Sequence, residues 1–130
     1  MIQSKNYIIN QYDKLINQAF LYIKQSNYRN AENYFKKAIN ILDTKNDAYI
    51  NLSNIYVKEN KIRKATNILF KYITSFAFDE NVACHLGKIC FNYNLDNDLF
   101  KLVNLSYLSK NYSECKSFLI YLLGKLYEKK

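Results

Sequence analysis

The sequence predicts an all-α fold, an α-solenoid of about three helix–turn–helix units closed by a C-terminal capping helix. Three observations predict it. The first is an internal period: shifted by 34 positions, residues 12–41 lie over residues 46–75 with ten of the thirty pairs identical, among them Asp13/Asp47, Ile16/Ile50, Asn17/Asn51, Tyr22/Tyr56, Ala31/Ala65 and Lys37/Lys71. Seven of the remaining pairs exchange one apolar side chain for another, among them Leu15/Tyr49, Ile23/Val57 and Phe35/Leu69. A period of this length marks supersecondary units that bury their apolar faces only by stacking on one another. The second is punctuation. Zero prolines and two glycines in 130 residues argue against a turn-rich β-sandwich and for long uninterrupted helices. The third is that apolar residues recur at helical spacing along nearly the whole chain.

Taken in order, residues 7–25 carry Ile8, Tyr12, Leu15, Ile16, Ala19, Phe20, Tyr22 and Ile23 on one helical face. Ser26-Asn27 interrupts the pattern, and residues 28–42 resume it with Ala31, Tyr34, Phe35, Ala38, Ile41 and Leu42. Alanine at positions 19, 31 and 38 lets paired helices approach closely, where a larger side chain would push the axes apart. After a polar link at 43–46, the second hairpin is expected over 47–59 and 62–75, turning at Asn60-Lys61, with Asp47 capping or charging the positive end of its first helix. Phe76-Ala77-Phe78 is an apolar connection whose aromatics should tuck under the next helix. A third unit opens at Asp79-Glu80 and runs to Tyr93, residues 94–98 (NLDND) give the strongest turn signal, and 99–109 form a helix of irregular register. Lys110-Asn111 breaks the chain once more. Residues 112–129 close it as a helix whose Cys115, Phe118, Leu119, Leu122, Leu123, Leu126 and Tyr127 make an apolar face broader than one neighbour needs. That face is a candidate contact for homo-oligomerisation or for a larger partner. The expected count is seven helices, within a single domain over 1–130.

Bulk properties bound the function. With 49% apolar and 16% aromatic residues the chain is not a disordered tail. A net charge of +8 favours association with acidic partners. Three cysteines (Cys84, Cys90, Cys115), an odd number with no CxxC spacing, read as buried small hydrophobes rather than a disulfide frame or a metal site. The first residues lack the basic start and apolar run of a signal peptide, and the longest apolar run (118–123) is far too short for a bilayer, so a cytoplasmic location is expected.

At the repeated positions the chain resembles the tetratricopeptide repeat. The first unit supplies Leu15, Ala19, Tyr22, Ala31, Phe35 and Ala38. The second supplies Tyr49, Leu52, Ser53, Tyr56, Ala65 and Leu69, with Tyr72 where alanine is usual. In a degenerate third unit Leu86-Gly87 fits, Cys90 replaces the tyrosine and Leu99 the alanine. The resemblance implies repeats at about 12–45, 46–79 and 80–111, a cap at about 112–129, a right-handed superhelix, and a concave face lined by the first helix of each unit. It implies a non-catalytic role, adaptor or chaperone-like, in which that face takes a peptide or helix of a partner protein. The implied lining is Asp13, Ile16, Phe20, Ile23 and Lys24, then Asp47, Ile50, Asn51, Asn54, Val57 and Lys58, then Lys88 with Asn81, Cys84 and Phe91. Apolar in its middle and polar at its edges, it suits a ligand presenting spaced hydrophobic anchors, with Asn51 and Asn54 bonding its backbone. The subclass that grips chaperone C-terminal carboxylates uses lysines, an arginine and asparagines. Only Asn51 matches that set, since Ile16, Phe20, Asn81 and His85 hold the other positions, so that activity is not expected. The apolar lining and small size are more similar to bacterial repeat chaperones for secreted hydrophobic proteins.

No residue nominates catalysis. The single histidine, His85, adjoins Cys84 on a helix, where neighbours point about 100° apart and make no nucleophile–base pair. No phosphate loop, paired carboxylates, metal set or cofactor motif is present in the sequence. Two other readings compete. Arg29, Lys61, Arg63 and Lys64, with Lys24 and Lys58, form a basic edge near tyrosines that could hold RNA, a partner the reading ranks below protein. A structural subunit assembling through residues 112–129 is the other.

Overall fold

A computed structural model describes residues 2–76, 78–109 and 114–129. Among these there are seven helices and no strand: α1 (Ile2–Lys24), α2 (Tyr28–Ile41), α3 (Asp47–Lys58), α4 (Ile62–Ser75), α5 (Glu80–Asn92), α6 (Asp96–Leu108) and α7 (Glu114–Glu128). They fall into two compact units, Met1–Ile68 and Leu69–Lys130. Ala77 and the break expected at 110–111 lie outside the described residues.

The turns inside the hairpins carry the period most plainly. Among the described residues, the non-glycine positions with positive φ are Ser26 (58°), Asn60 (61°) and Asn94 (57°), spaced 34 apart. At each, the next amide reaches back five residues: Asn27 to the Tyr22 carbonyl at 2.9 Å, Lys61 to Tyr56 at 2.7 Å, and Leu95 to Cys90 at 2.8 Å. This left-handed closure satisfies carbonyls that the helix end leaves open. The backbone therefore keeps the repeat in the third hairpin, where the side-chain pattern has drifted.

In the first unit α1 pairs with α2 and α2 with α3. Tyr12, Ile16, Ala19, Ala31, Phe35, Ala38, Tyr49 and Leu52 are buried between them. Asn27 caps α2 by accepting the Asn30 amide at 3.3 Å. For α3, Asp47 takes the second of its two expected roles, placing its charge at the positive end of the helix rather than capping it. Asn46 holds the cap position without a side-chain cap bond, Asp47 lies in the first turn, and the Ala48 amide donates to the Tyr12 hydroxyl of α1 at 3.4 Å. A tyrosine from the neighbouring hairpin thus does what a local cap usually does. The helix α1 begins at Ile2 rather than Tyr7 because nothing between them breaks it.

In the second unit α7 packs on both α5 and α6. Gly87 is buried, and a Cβ added there would meet Leu119 Cδ2 at 2.5 Å, so glycine lets α5 and α7 cross here without displacing that leucine. Its counterparts one and two periods earlier, Ser53 and Ala19, are also buried, and Ser53 donates its hydroxyl to the Ile50 carbonyl at 2.7 Å. Asp79 caps α5, accepting the Val82 amide at 3.1 Å. The helix α6 starts at Asp96, inside the predicted turn, because Asp96 and Asp98 are favourable in a first turn. Phe76 stacks on Tyr72 with ring centroids 5.1 Å apart, and Phe78 is half-buried.

Candidate partner-binding face

The residues expected to line the face on α1 and α3 divide by exposure. Asp13, Lys24, Asp47, Asn54 and Lys58 are exposed, while Ile23, Ile50, Asn51 and Val57 are half-buried. Phe20 keeps 39% of its surface open while its ring meets Phe35 edge-on at 5.8 Å. Ile16, expected in the lining, belongs to the core, because α1 turns Tyr12, Ile16 and Ala19 inward on one stripe. What remains is an interrupted apolar strip in which Ile23 and Val57 repeat at the period, flanked at the period by Asp13/Asp47 and Lys24/Lys58.

Two expected polar contacts are committed elsewhere. Asn51 donates its amide to the Asp47 carbonyl at 2.8 Å, leaving that nitrogen less able to serve a ligand backbone. Lys58 donates to the Tyr28 hydroxyl at 3.3 Å and lies over the same ring at 5.6 Å, which turns it toward the hairpin edge. The basic edge is built in the same manner. Lys64 sits over the Tyr56 ring at 5.8 Å, Lys61 pairs with Glu59 at 3.7 Å, and Arg29 and Arg63 are exposed. These cations spend part of their charge within the fold, which weakens the edge as a phosphate-binding surface.

Electrostatics on this side centre on buried phenols. Burial raises the Tyr12 hydroxyl from 10.0 to about 12, the Ala48 amide opposing and Asp47 and Asp13 adding to the rise. Tyr56 is also pushed up to about 12 by burial and by the Glu32 carboxylate that its hydroxyl bonds.

On α5 the corresponding positions are treated differently. Lys88 and Asn81 are exposed, but Cys84 and Phe91 meet α7: the Cys84 Sγ lies 2.9 Å from the Cys115 Sγ, and the Lys129 ammonium lies 4.1 Å over the Phe91 ring. His85 is half-buried, and burial together with the Lys88 charge lowers its pKa. Among the described residues no three metal-ligating side chains converge, and no helix is long and apolar enough to cross a membrane.

The whole chain superposes on solved helical-repeat structures. Against the Sgt2 TPR domain from Aspergillus fumigatus the TM-score is 0.61 at 15% identity, covering 91% of this chain and 78% of that one. The fold is tetratricopeptide-like. A second tetratricopeptide-like neighbour is SycD, a type III secretion translocator chaperone of Yersinia enterocolitica, with a TM-score of 0.63 at 12% identity over 92% of this chain and 94% of that one. No protein-family model matches the sequence, and no curated protein matches it.

Two features of this tetratricopeptide-like chain escaped the sequence. Tyr12 gives no local sign that it caps a helix 36 residues away. Cys84 and Cys115 are 31 residues apart, and only the register that sets Cys84 on the inner face of its helix hints at their meeting.

Proposed function

We propose that this chain is a non-catalytic protein-interaction module, adaptor or chaperone-like, that takes an extended peptide or helix of a partner protein against α1 and α3. The observation that carries the proposal is the half-exposed pair Ile23 and Val57, recurring at the repeat period between exposed charges and beside the open ring of Phe20. A folded chain keeps such side chains at its surface at a cost, and contact with a partner's apolar side chains relieves it. The exposed Lys24 ammonium favours a partner with acidic residues flanking its anchors. The helical-repeat likeness supports the reading, since the chaperone neighbour is a protein that handles other polypeptides by name. A cytoplasmic setting and homo-oligomerisation through α7 belong to the same proposal; Cys115, Leu119, Leu122 and Leu126 of the expected face are buried, and the contact would use Tyr127 with the exposed Ile120 and Tyr121.

Variants test it. Ile23→Glu combined with Val57→Glu should cost the captured partner at least tenfold in affinity while circular dichroism stays unchanged, because both positions are half-exposed. Ile16→Glu is unsuitable, since a buried charge there unfolds the hairpin. Unchanged capture by the double variant would end the proposal. Titration of RNA binding against salt distinguishes the alternative: a steep loss of binding would favour the basic edge, and no binding at low salt removes it.

A further inference from the structure

We propose that Cys84 and Cys115 are a dithiol pair that closes into a disulfide and so fastens α7 to α5. All three cysteines are free thiols, and two of them face each other with their sulfurs 2.9 Å apart. A disulfide needs about 2.05 Å, so closure requires a sulfur shift of under about 1 Å, within reach of a χ1 adjustment. The thiols form a directed chain. Cys84 donates to the Cys115 sulfur, and Cys115 donates to the Glu80 carbonyl at 3.6 Å. Exposure sets the order of events. Cys84 is half-exposed and open to an external reagent, whereas Cys115 is buried and its proton is held by that burial and by Cys84 beside it. Cys90 is fully buried on the same helix and out of this pair.

The co-reactant is a disulfide, either of a small thiol such as glutathione or of a dithiol oxidoreductase. The Cys84 thiolate attacks one sulfur of that disulfide, forming a mixed disulfide and releasing one thiolate. Cys115 then attacks the Cys84 sulfur, passing its proton to the departing thiolate as the internal bond forms and the mixed disulfide breaks. The two protein thiols give up two electrons and two protons, and the reagent leaves as two thiols. Closure spans 31 residues and covalently joins the closing helix to the first helix of the third hairpin. Because Cys84 and Phe91 occupy lining register on α5, the bond holds α7 over that part of the repeat. The inference stands independently of the partner-binding proposal.

Oxidised glutathione added to the full chain, followed by digestion without reductant and mass spectrometry, tests it. The expected product has lost two hydrogens, joins the Cys84 and Cys115 peptides in one chain, leaves Cys90 as a thiol and reverts with dithiothreitol. Hydrogen exchange in α7 should slow on closure. Cys115→Ser should instead trap glutathione on Cys84, and Cys84→Ser should form no internal bond. If Cys115→Ser does not fold, the wild-type peptide map and the Cys84→Ser variant still decide the matter. A wild-type chain that stops at the glutathione adduct of Cys84, links Cys90 or a second chain, or closes without slowing exchange in α7 would overturn the proposal.

Discussion

At the scale of single residues, Tyr12 does two jobs with one hydroxyl. Its ring fills the α1–α2–α3 junction, and its oxygen accepts the Ala48 amide that α3 leaves without a local cap. Tyr12→Phe keeps the ring and strands the amide, so it should cost about 1 kcal/mol in chemical denaturation. The same hydroxyl shapes the pH profile. Tyr12 and Tyr56 hold their protons more tightly folded than unfolded, with values raised from 10.0 to about 12. Their contribution is therefore complete below pH 10 and is lost as pH climbs toward about 12. Melting temperature should fall across that window, and less steeply in Tyr12→Phe. A profile flat to pH 12 would contradict the burial of these phenols. Ser26 offers an opposite test. It is held at φ 58°, where a β-carbon is strained, so Ser26→Gly should gain about 0.5–1 kcal/mol. The gain should be smaller at Asn60 and Asn94, because asparagine tolerates this conformation better.

At the scale of elements, the two glycines of the second unit separate packing from propensity. Gly124 lies in α7 with open space where a β-carbon would go. Gly124→Ala should therefore add up to about 1 kcal/mol through helix propensity alone. Gly87→Ala gains the same propensity but drives its methyl to 2.5 Å from Cδ2 of the fully buried Leu119, which must shift. Overpacking of about 1–3 kcal/mol should outweigh the gain, leaving a net loss of up to about 2 kcal/mol. Equal effects at the two sites would mean that α7 does not seat against α5 there. These elements also show what could be read from the chain. Five of the helices lie nearly where the spacing predicts, because apolar spacing and the paired turn residues are local signals, while α1 starts five residues ahead of the predicted Tyr7. The start of α6 was misplaced because Asp96 and Asp98 serve turns and first helical turns alike. Ile16 was assigned to an open lining because its period match to Ile50 carries register but not depth: Ile16 is buried where Ile50 is half-open. The commitments of Asn51 and Lys58 to the chain's own groups depend on rotamers, which no spacing encodes.

At the scale of the whole molecule, one repeat length accounts for turns and small residues alike. Left-handed turns at 26, 60 and 94 and buried small residues at 19, 53 and 87 follow the same 34-residue step. A fold built this way repeats its surface as well as its core, which is how Ile23 and Val57 come to present equivalent half-open apolar positions. On the proposed function the net charge of +8 would favour an acidic polypeptide, and its capture should then weaken as salt rises. The most direct measurement is site-specific photo-crosslinking in native cells with a reactive side chain at Ile23, Val57 or Asn54, compared with Asn33 and Lys36, which are exposed on α2. The account predicts one and the same polypeptide attached from all three α1 and α3 positions and absent from the α2 positions. Attachment from α2 alone, indiscriminate attachment from both sets, or attachment only to nucleic acid would contradict it.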